Sequence, residues 1–213
     1  MEIIRVGGGP WKQNCFLIIF GNTAILVDPG GQSKEILEIL QNRQIELTAV
    51  LNTHGHFDHI GAVQDILDQT NAKFYISARE VPIMNSSNLL RFIFKSKEKF
   101  RIPKEFINLD VLPRMIEIGG MSIEFLPTPG HTPGGYCFVL ANHIFSGDTV
   151  LSSMPGTAEL PGGNLEDLRN SLALLQTLPR DLTIHPGHGR DGKLGDALDA
   201  SKAWLNAQVA NHD

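Results

Sequence analysis

The sequence predicts an α/β layered domain with two central sheets and helices on the outside. Short runs of β-forming residues alternate with segments whose apolar residues recur at helical spacing. This alternation occurs in two comparable halves, and hydrophobic residues fill 42% of the 213 positions, enough for a sizeable core. One domain spanning residues 1–213 is therefore expected. The order of the strands is left open by the sequence.

The first half begins with strands. Apolar runs bounded by Gly, Pro and Asn predict strands at residues 2–6, 14–20, 24–27, 47–51 and 73–76. Ser33 is expected to cap the first helix, in which apolar residues recur from Ile36 onward. A second helix is expected from Ile60 to Gln69. A mostly helical insertion, rich in basic and aromatic residues, is expected around 78–106.

The second half repeats the scheme. Strands are expected at residues 115–118, 121–126, 135–140, 143–146 and 182–185. Gly119-Gly120 has the composition of a two-residue hairpin turn. A helix is expected over 165–178, with Asn164 as its N-cap, and a last helix ends near Val209.

Composition limits the partners. The net charge of -5 argues against non-specific binding to nucleic acid. No run of 18 apolar residues is present, so no membrane span is expected, and the first residues lack the pattern of an export signal. A cytoplasmic protein that acts on a small molecule is the expectation, with its oligomeric state left open.

The two cysteines, Cys15 and Cys137, each lie in an apolar run typical of a strand. Their expected role is that of small buried hydrophobic residues. Neither belongs to a Cys-x-x-Cys pair, and a reducing compartment disfavours a disulfide between them.

One segment concentrates metal-binding side chains. It reads His54-Gly55-His56-Phe57-Asp58-His59. Gly between two His favours an extended chain, in which side chains two apart share a face, so His54 and His56 can converge on one metal as neutral imidazoles. Adjacent Asp58 and His59 are expected to diverge where the chain turns into the next helix, and this second pair can serve a second metal. The alternative is a chance cluster of surface and core residues.

Three later motifs each follow a predicted strand. They are Thr128-Pro129-Gly130-His131-Thr132-Pro133-Gly134, Phe145-Ser146-Gly147-Asp148-Thr149 and Thr183-Ile184-His185-Pro186-Gly187-His188-Gly189. Loops at strand ends are where a rigid scaffold aims functional groups. His131 can complete a three-histidine set, the Asp148 carboxylate can bridge two cations, and His188 can join the second pair. Taken singly, each motif could instead be a structural turn.

In this order the motifs resemble the metallo-β-lactamase-fold hydrolase superfamily, and within it most the small glyoxalase II-like (hydroxyacylglutathione hydrolase-like) proteins. The resemblance runs from Asp28 to Gly189. It implies a four-layer αββα sandwich with two divalent metal ions at one edge of the sheets. Zinc is the expected metal, with iron or manganese as alternatives.

The resemblance also implies a role for each residue. One metal would be held by His54, His56 and His131, the other by Asp58, His59 and His188, with Asp148 bridging both. Asp28 would lie behind the ligands and support them, without binding metal itself. Its alternative role is to cap the turn that Pro29-Gly30 begins. Of the remaining histidines, His185 is interpreted as a strand residue, and His143 and His212 as exposed.

The implied reaction is hydrolysis. Two divalent cations about 3.5–4 Å apart lower the pKa of a shared water to near 7, which gives a hydroxide nucleophile at neutral pH. Asp58 and Asp148 would be the catalytic side chains beside that hydroxide. A thiolate, with a pKa of about 8.5, is a tolerable leaving group, so a thioester is the expected substrate.

Two departures from the glyoxalase II pattern bear on the substrate. Full-length glyoxalase II enzymes carry a helical C-terminal domain that grips glutathione, whereas 25 residues follow His188. Thr157 stands where the short bacterial relatives typically have Arg. A broad hydrolase for small thioesters, with weak binding of S-lactoylglutathione, is therefore expected.

The segment 91–105 carries six basic residues against two acidic ones. It could form a lid, an anion-binding edge or a subunit contact. The alternative is a solvated helix that packs its Phe residues on the domain.

Other functions remain open within this pattern. A persulfide dioxygenase of the same superfamily would use one iron. A lactonase or β-lactamase-like hydrolase is a further alternative, although secreted β-lactamases generally carry Cys or Ser where Asp148 stands. An RNA-processing nuclease would need a basic face. A non-catalytic metal-binding module is disfavoured because structural zinc sites are closed and usually rich in Cys.

Overall fold

A computed structural model describes residues 1–7, 11–93 and 101–210, and the side chains of all of these except 88–93 and 208–210. Two six-stranded sheets pack face to face, with helices on the outer side of each. The predicted layered α/β fold is confirmed. In the described part of the chain, no helix combines the length and the apolar character needed to cross a membrane.

The first sheet contains the strands of the first half in sequence order. These are β1 (Glu2–Gly7), β2 (Asn14–Phe20), β3 (Thr23–Val27), β4 (Glu46–Leu51), β5 (Lys73–Ile76) and β6 (Ile107–Asn108). The first three strands are antiparallel, and β3 to β6 are parallel. Side chains alternate along β2: Leu17 faces the outer helices and Phe16 the other sheet, because strand residues alternate between faces.

The second sheet contains the strands of the second half, in the order β12 to β7. These are β7 (Met115–Ile118), β8 (Met121–Pro127), β9 (Tyr136–Leu140), β10 (His143–Gly147), β11 (Thr183–Pro186) and β12 (Gly192–Lys193). Neighbours are antiparallel except for the parallel pair β10 and β11. The predicted hairpin at Gly119-Gly120 is confirmed: both glycines have positive φ, as a two-residue turn of this kind requires.

Six α-helices cover the sheets within the described residues. They are α1 (Ser33–Arg43), α2 (Phe57–Ile60), α3 (Val63–Leu67), α4 (Val81–Ile93), α5 (Leu165–Leu175) and α6 (Leu194–Ala210). Buried residues form three clusters. One lies between the first sheet and α1 to α4, one between the two sheets, and one between the second sheet and α5 and α6. Both cysteines are buried within this core, as expected.

Three helix predictions were wrong in detail. The single helix expected from Ile60 is instead two short helices, with a turn over 61–62 between them, and helical structure begins at Phe57. Ser33 lies inside α1, whose N-cap is Gln32 in a left-handed conformation. Residues 101–106 are not helical, and Pro103 there lacks the N–H that a helix interior needs.

The cap predicted for α5 is confirmed. Asn164 Oδ1 accepts hydrogen bonds from the backbone N–H groups of Glu166 and Asp167, at 2.9 and 3.0 Å. We expect Asn164→Ala to lower the free energy of unfolding by about 0.5–2 kcal/mol, measured by urea denaturation. Asn170→Ala is the control, because Asn170 is an exposed residue within the same helix. Equal effects of the two substitutions would contradict the capping role.

The ends of five strands meet at one edge of the sandwich. Loops with metal-capable side chains follow β3, β4, β8, β10 and β11 directly. Because the carboxyl ends of strands commonly frame binding sites in layered α/β folds, this edge is the candidate site.

Candidate metal centre

The first cluster contains three buried imidazoles. His131 Nε2 lies 3.0 Å from His56 Nδ1, and the rings of His54, His56 and His131 have centroids 4.8–4.9 Å apart. One nitrogen from each ring lies within 4.8 Å of the other two. Such a group of neutral nitrogen donors is suited to zinc and iron.

The second cluster contains Asp58, His59 and His188. His188 Nε2 lies 3.2 Å from Asp58 Oδ2, and His59 Nε2 lies 3.9 Å from the same oxygen. The expectation that Asp58 and His59 diverge was wrong. The helical turn that begins at Phe57 brings their ligand atoms together, whereas in an extended chain adjacent side chains would point apart.

Asp148 lies between the two clusters. Its Oδ2 is 3.7 Å from His131 Nε2 and 3.6 Å from His188 Nε2, and its Oδ1 is 3.6 Å from His59 Nε2. One carboxylate thus faces ligand atoms of both sets. The structure brings all seven predicted ligands into two adjoining clusters at the expected strand ends, and their binding of metal stays a prediction.

Asp28 is buried behind the second cluster, at the end of β3. Its Oδ1 accepts the Thr53 backbone N–H at 2.7 Å, and its Oδ2 accepts the Thr53 hydroxyl at 2.6 Å and lies 3.0 Å from His59 Nδ1. Asp28 can also be grouped with His54 and His59 as a ligand set. Since these contacts already use both of its oxygens, the geometry favours orientation of His59 over direct ligation.

In two of the three rings of the first cluster, the second ring nitrogen has a hydrogen-bond partner outside the cluster. Thr53 Oγ1 lies 3.0 Å from His54 Nδ1, and the Thr157 carbonyl oxygen lies 2.7 Å from His131 Nδ1. A hydrogen bond to one ring nitrogen fixes the tautomer and leaves the other nitrogen free as a ligand. The backbone of Thr157 therefore takes part in the site, although its side chain is exposed.

Sequence reasoning missed Asn14, which holds the loop of His188. Asn14 Nδ2 donates to the carbonyl oxygens of Pro186 and Gly189 at 2.9 and 3.0 Å, and its backbone N–H donates to Gly187 at 2.7 Å. Asn14 begins β2, 174 positions before His188. No local signal could have revealed this contact, since it depends on how the two sheets pack.

The two clusters differ in charge. Burial lowers the pKa of His56 to about 4 and that of His54 well below its usual value, so both are neutral at pH 7. Burial acts in the same direction on His59, but Asp148, Asp58 and Asp28 outweigh it and raise its pKa to about 10. Burial would raise the pKa of Asp58, but His59 and His188 hold it well below its usual range.

The remaining histidines lie away from these clusters. His185 is buried in β11, as expected, and stacks on His143 at 5.1 Å between centroids. His143 was expected to be exposed but is half-buried by this contact. His212 lies outside the described residues. In the basic segment, Arg101 pairs with Asp65 and Asp68, and the prediction for residues 94–100 lies outside the described part.

Residues 8–188 match the family model of the Metallo-beta-lactamase superfamily. The chain belongs to the metallo-beta-lactamase superfamily. A probable metallo-hydrolase of Methanocaldococcus jannaschii is 32% identical over 209 residues, covering 95% of this chain and 98% of the relative. A probable polyketide biosynthesis zinc-dependent hydrolase of Bacillus subtilis is 32% identical over 181 residues, covering 84% and 73%.

Solved structures of this superfamily share the fold. The B3 metallo-beta-lactamase BLEG-1 superposes with a TM-score of 0.82 at 27% identity, covering 93% of this chain and 97% of the other. The structure of TTHA1623 in a di-iron-bound form gives 0.80 at 30% identity, covering 93% and 98%. The superfamily predicted from the motifs is confirmed, and the closer resemblance to glyoxalase II-like proteins stays a prediction.

Proposed function

We propose that this chain is a binuclear metal-dependent hydrolase that cleaves small thioesters. The observation that carries the proposal is the position of Asp148, whose two oxygens face both clusters at 3.6–3.7 Å. A carboxylate so placed is suited to bridge two cations. The metallo-hydrolase names of relatives at 32% identity support the same class of reaction.

The residues present fit bound metal. Among the described side chains, His54 Nε2, His59 Nε2 and Asp148 Oδ1 are buried polar atoms without a hydrogen-bond partner. Each such atom costs about 1–3 kcal/mol when it is left unsatisfied. All three belong to the two clusters, so cations there would satisfy them together. Nitrogen and oxygen donors suit zinc or iron, the metals named for the Bacillus subtilis relative and for TTHA1623 respectively.

When bound, two divalent cations supply an activated water and stabilise negative charge on the attacked carbonyl oxygen. The chain supplies the orientation. Asp58 stays ionised because its pKa is held low, so its carboxylate can accept a hydrogen bond from the attacking water. Asp148 lies between the two clusters and would keep their ions at a fixed separation, and Asp28 orients the ring of His59. A thioester suits this site because the departing thiolate needs no protonation near neutral pH.

The experiment that tests the proposal combines metal quantification with a substrate comparison. We expect two metal ions per chain in protein purified without added metal. We expect S-lactoylglutathione and simple alkyl thioesters to be cleaved with similar kcat, and S-lactoylglutathione to show a high KM. Contacts remote from the carbonyl change KM and leave kcat largely unaltered. One iron per chain, with oxygen consumption on a persulfide, would instead identify a dioxygenase.

Metal affinity at the second cluster should depend on pH. In the metal-free protein the pKa of His59 is raised to about 10, so metal binding at Nε2 displaces a proton. We therefore expect affinity there to rise about tenfold per pH unit up to about pH 10. The affinity of the first cluster should depend less on pH over the same range, because burial lowers the pKa of His54 and that of His56, so neither imidazole has to lose a proton on binding. Chelator competition between about pH 6 and pH 8 measures both slopes, and equal slopes would refute this assignment.

A further inference from the structure

A buried carboxylate outside the two clusters joins their supporting loops. Glu80 ends a short 3-10 helix, Ala78–Glu80, and has no exposed surface. Its Oε2 accepts the backbone N–H of Gly55 at 2.7 Å, and its Oε1 accepts the backbone N–H of Gly134 at 2.6 Å. One side chain therefore connects a loop of the first sheet with a loop of the second.

These two loops carry the three-histidine cluster. Gly55 stands between His54 and His56 in the loop after β4, and Gly134 follows His131 by three positions in the loop after β8. The three imidazoles come from different sheets, so their spacing depends on how far apart the two loops are held. The Glu80 carboxylate joins the two loops, since it accepts one backbone hydrogen bond from each.

The glycines show how closely the backbone approaches the carboxylate. A Cβ on Gly55 would lie 3.1 Å from Glu80 Oε2, and one on Gly134 would lie 2.9 Å from Glu80 Oε1. Ser87 Oγ, from α4, also donates to the Gly55 carbonyl oxygen at 3.2 Å. The Gly55 peptide is thus held at both its N–H and its C=O.

Glu80 is a buried carboxylate that has no ion-pair partner among the described residues. Among the described residues, no Lys, Arg or His nitrogen lies within 4.0 Å of it. A buried carboxylate is costly unless it is hydrogen-bonded, and Gly55 and Gly134 supply those bonds. The hydrogen bonds from Gly55 and Gly134 therefore stabilise the buried carboxylate and also connect the two loops.

We propose that Glu80 is a positioning residue that sets the separation between the His54/His56 loop and the His131 loop to suit one divalent cation. The inference rests on the metal-binding part of the proposed function. It does not depend on which substrate is cleaved. It assigns Glu80 no contact with metal or substrate.

The test uses Glu80→Gln, which keeps the size of the side chain and removes one acceptor. Its amide oxygen can accept from one glycine, while its NH₂ group faces the N–H of the other. In the metal-free chain, we expect hydrogen exchange to accelerate at the amide of Gly55 or Gly134. In Co²⁺ titrations, we expect one ion to bind at least tenfold more weakly, the typical loss when support of a ligand is removed, with an altered absorption spectrum. The other ion should bind as in the unaltered chain.

Leu198→Ala is the control, because it removes core packing in α6 and touches neither loop. Equal loss of cobalt affinity in Glu80→Gln and Leu198→Ala would overturn the proposal, as would unchanged cobalt binding in Glu80→Gln. Glu80→Asp keeps both acceptor oxygens and should recover part of the affinity. If Glu80→Gln does not fold, Ser87→Ala carries the test, since it removes the hydroxyl that donates to the Gly55 carbonyl and to the Ile83 carbonyl of its own helix, and it should weaken the same ion. If the unaltered chain binds no cobalt, the proposed function fails, and amide exchange still decides whether Glu80 holds the loops.

Discussion

Asp148→Ala is expected to bind at most one metal ion per chain and to lose about 10²–10³-fold in kcat/KM for thioesters, since a single preorganised electrostatic contact to developing charge is worth about 10²–10³. The physical reason is that the Asp148 carboxylate faces ligand atoms of both clusters. Metal content by atomic emission and steady-state kinetics measure the two effects. The fold should persist, because the three hydrophobic clusters do not include the site.

Glu117→Ala is the matched control for this loss of a carboxylate. Glu117 is an exposed residue of β7, at the far edge of the second sheet, and should have no effect on metal content. Retention of two ions in Asp148→Ala would show that the clusters fill independently and that Asp148 does not bridge them.

Asp28→Asn is expected to weaken the ion at the second cluster ten- to 100-fold, about the usual effect of removing a partner behind a metal ligand. Asn keeps the shape of the side chain but loses the charge beside His59 Nδ1, and its NH₂ group opposes a Thr53 donor. The ring orientation of His59 is then no longer fixed. The first cluster should be affected less, and the loss should be smaller than in Asp148→Ala.

Asp191→Asn provides the comparison. Asp191 Oδ1 lies 3.2 Å from His185 Nδ1, so the substitution disturbs an Asp–His contact that involves no predicted ligand. We expect its metal affinity to match that of the unaltered chain, as measured by the same chelator competition. A similar loss in both variants would mean that Asp28 acts on general stability and not on His59.

Sequence reasoning predicted the site where its signal was local. His54, His56, Asp58 and His59 lie within six positions, and the later ligands follow strands whose apolar runs are clear. It could not predict the supporting contacts of Asn14 and Glu80, because these join segments that meet only when the two sheets pack. The spacing of residues within one segment does not predict contacts between segments that lie far apart in the sequence.

The errors in the elements have similar causes. Asp58 and His59 were expected to diverge because the chain was assumed to stay extended up to Ile60. In the structure, a helical turn begins at Phe57. The strands β6 and β12 escaped prediction because each has two residues, too few for a periodic pattern. The fold class was predictable because it depends on long apolar runs, whereas the ends of elements depend on single contacts.

The spread of the ligands along the chain has a consequence for biosynthesis. The ribosome releases His54 to His59 long before His188, which follows the eleventh of the twelve strands and can take its place only once β10 and β11 have paired. A nascent chain therefore presents only part of the predicted ligand set, and a partial set places few geometric restrictions on the metal that it could bind. The complete set of predicted ligands forms only in the finished sandwich, so we expect any preference between metals to be set after the chain has folded.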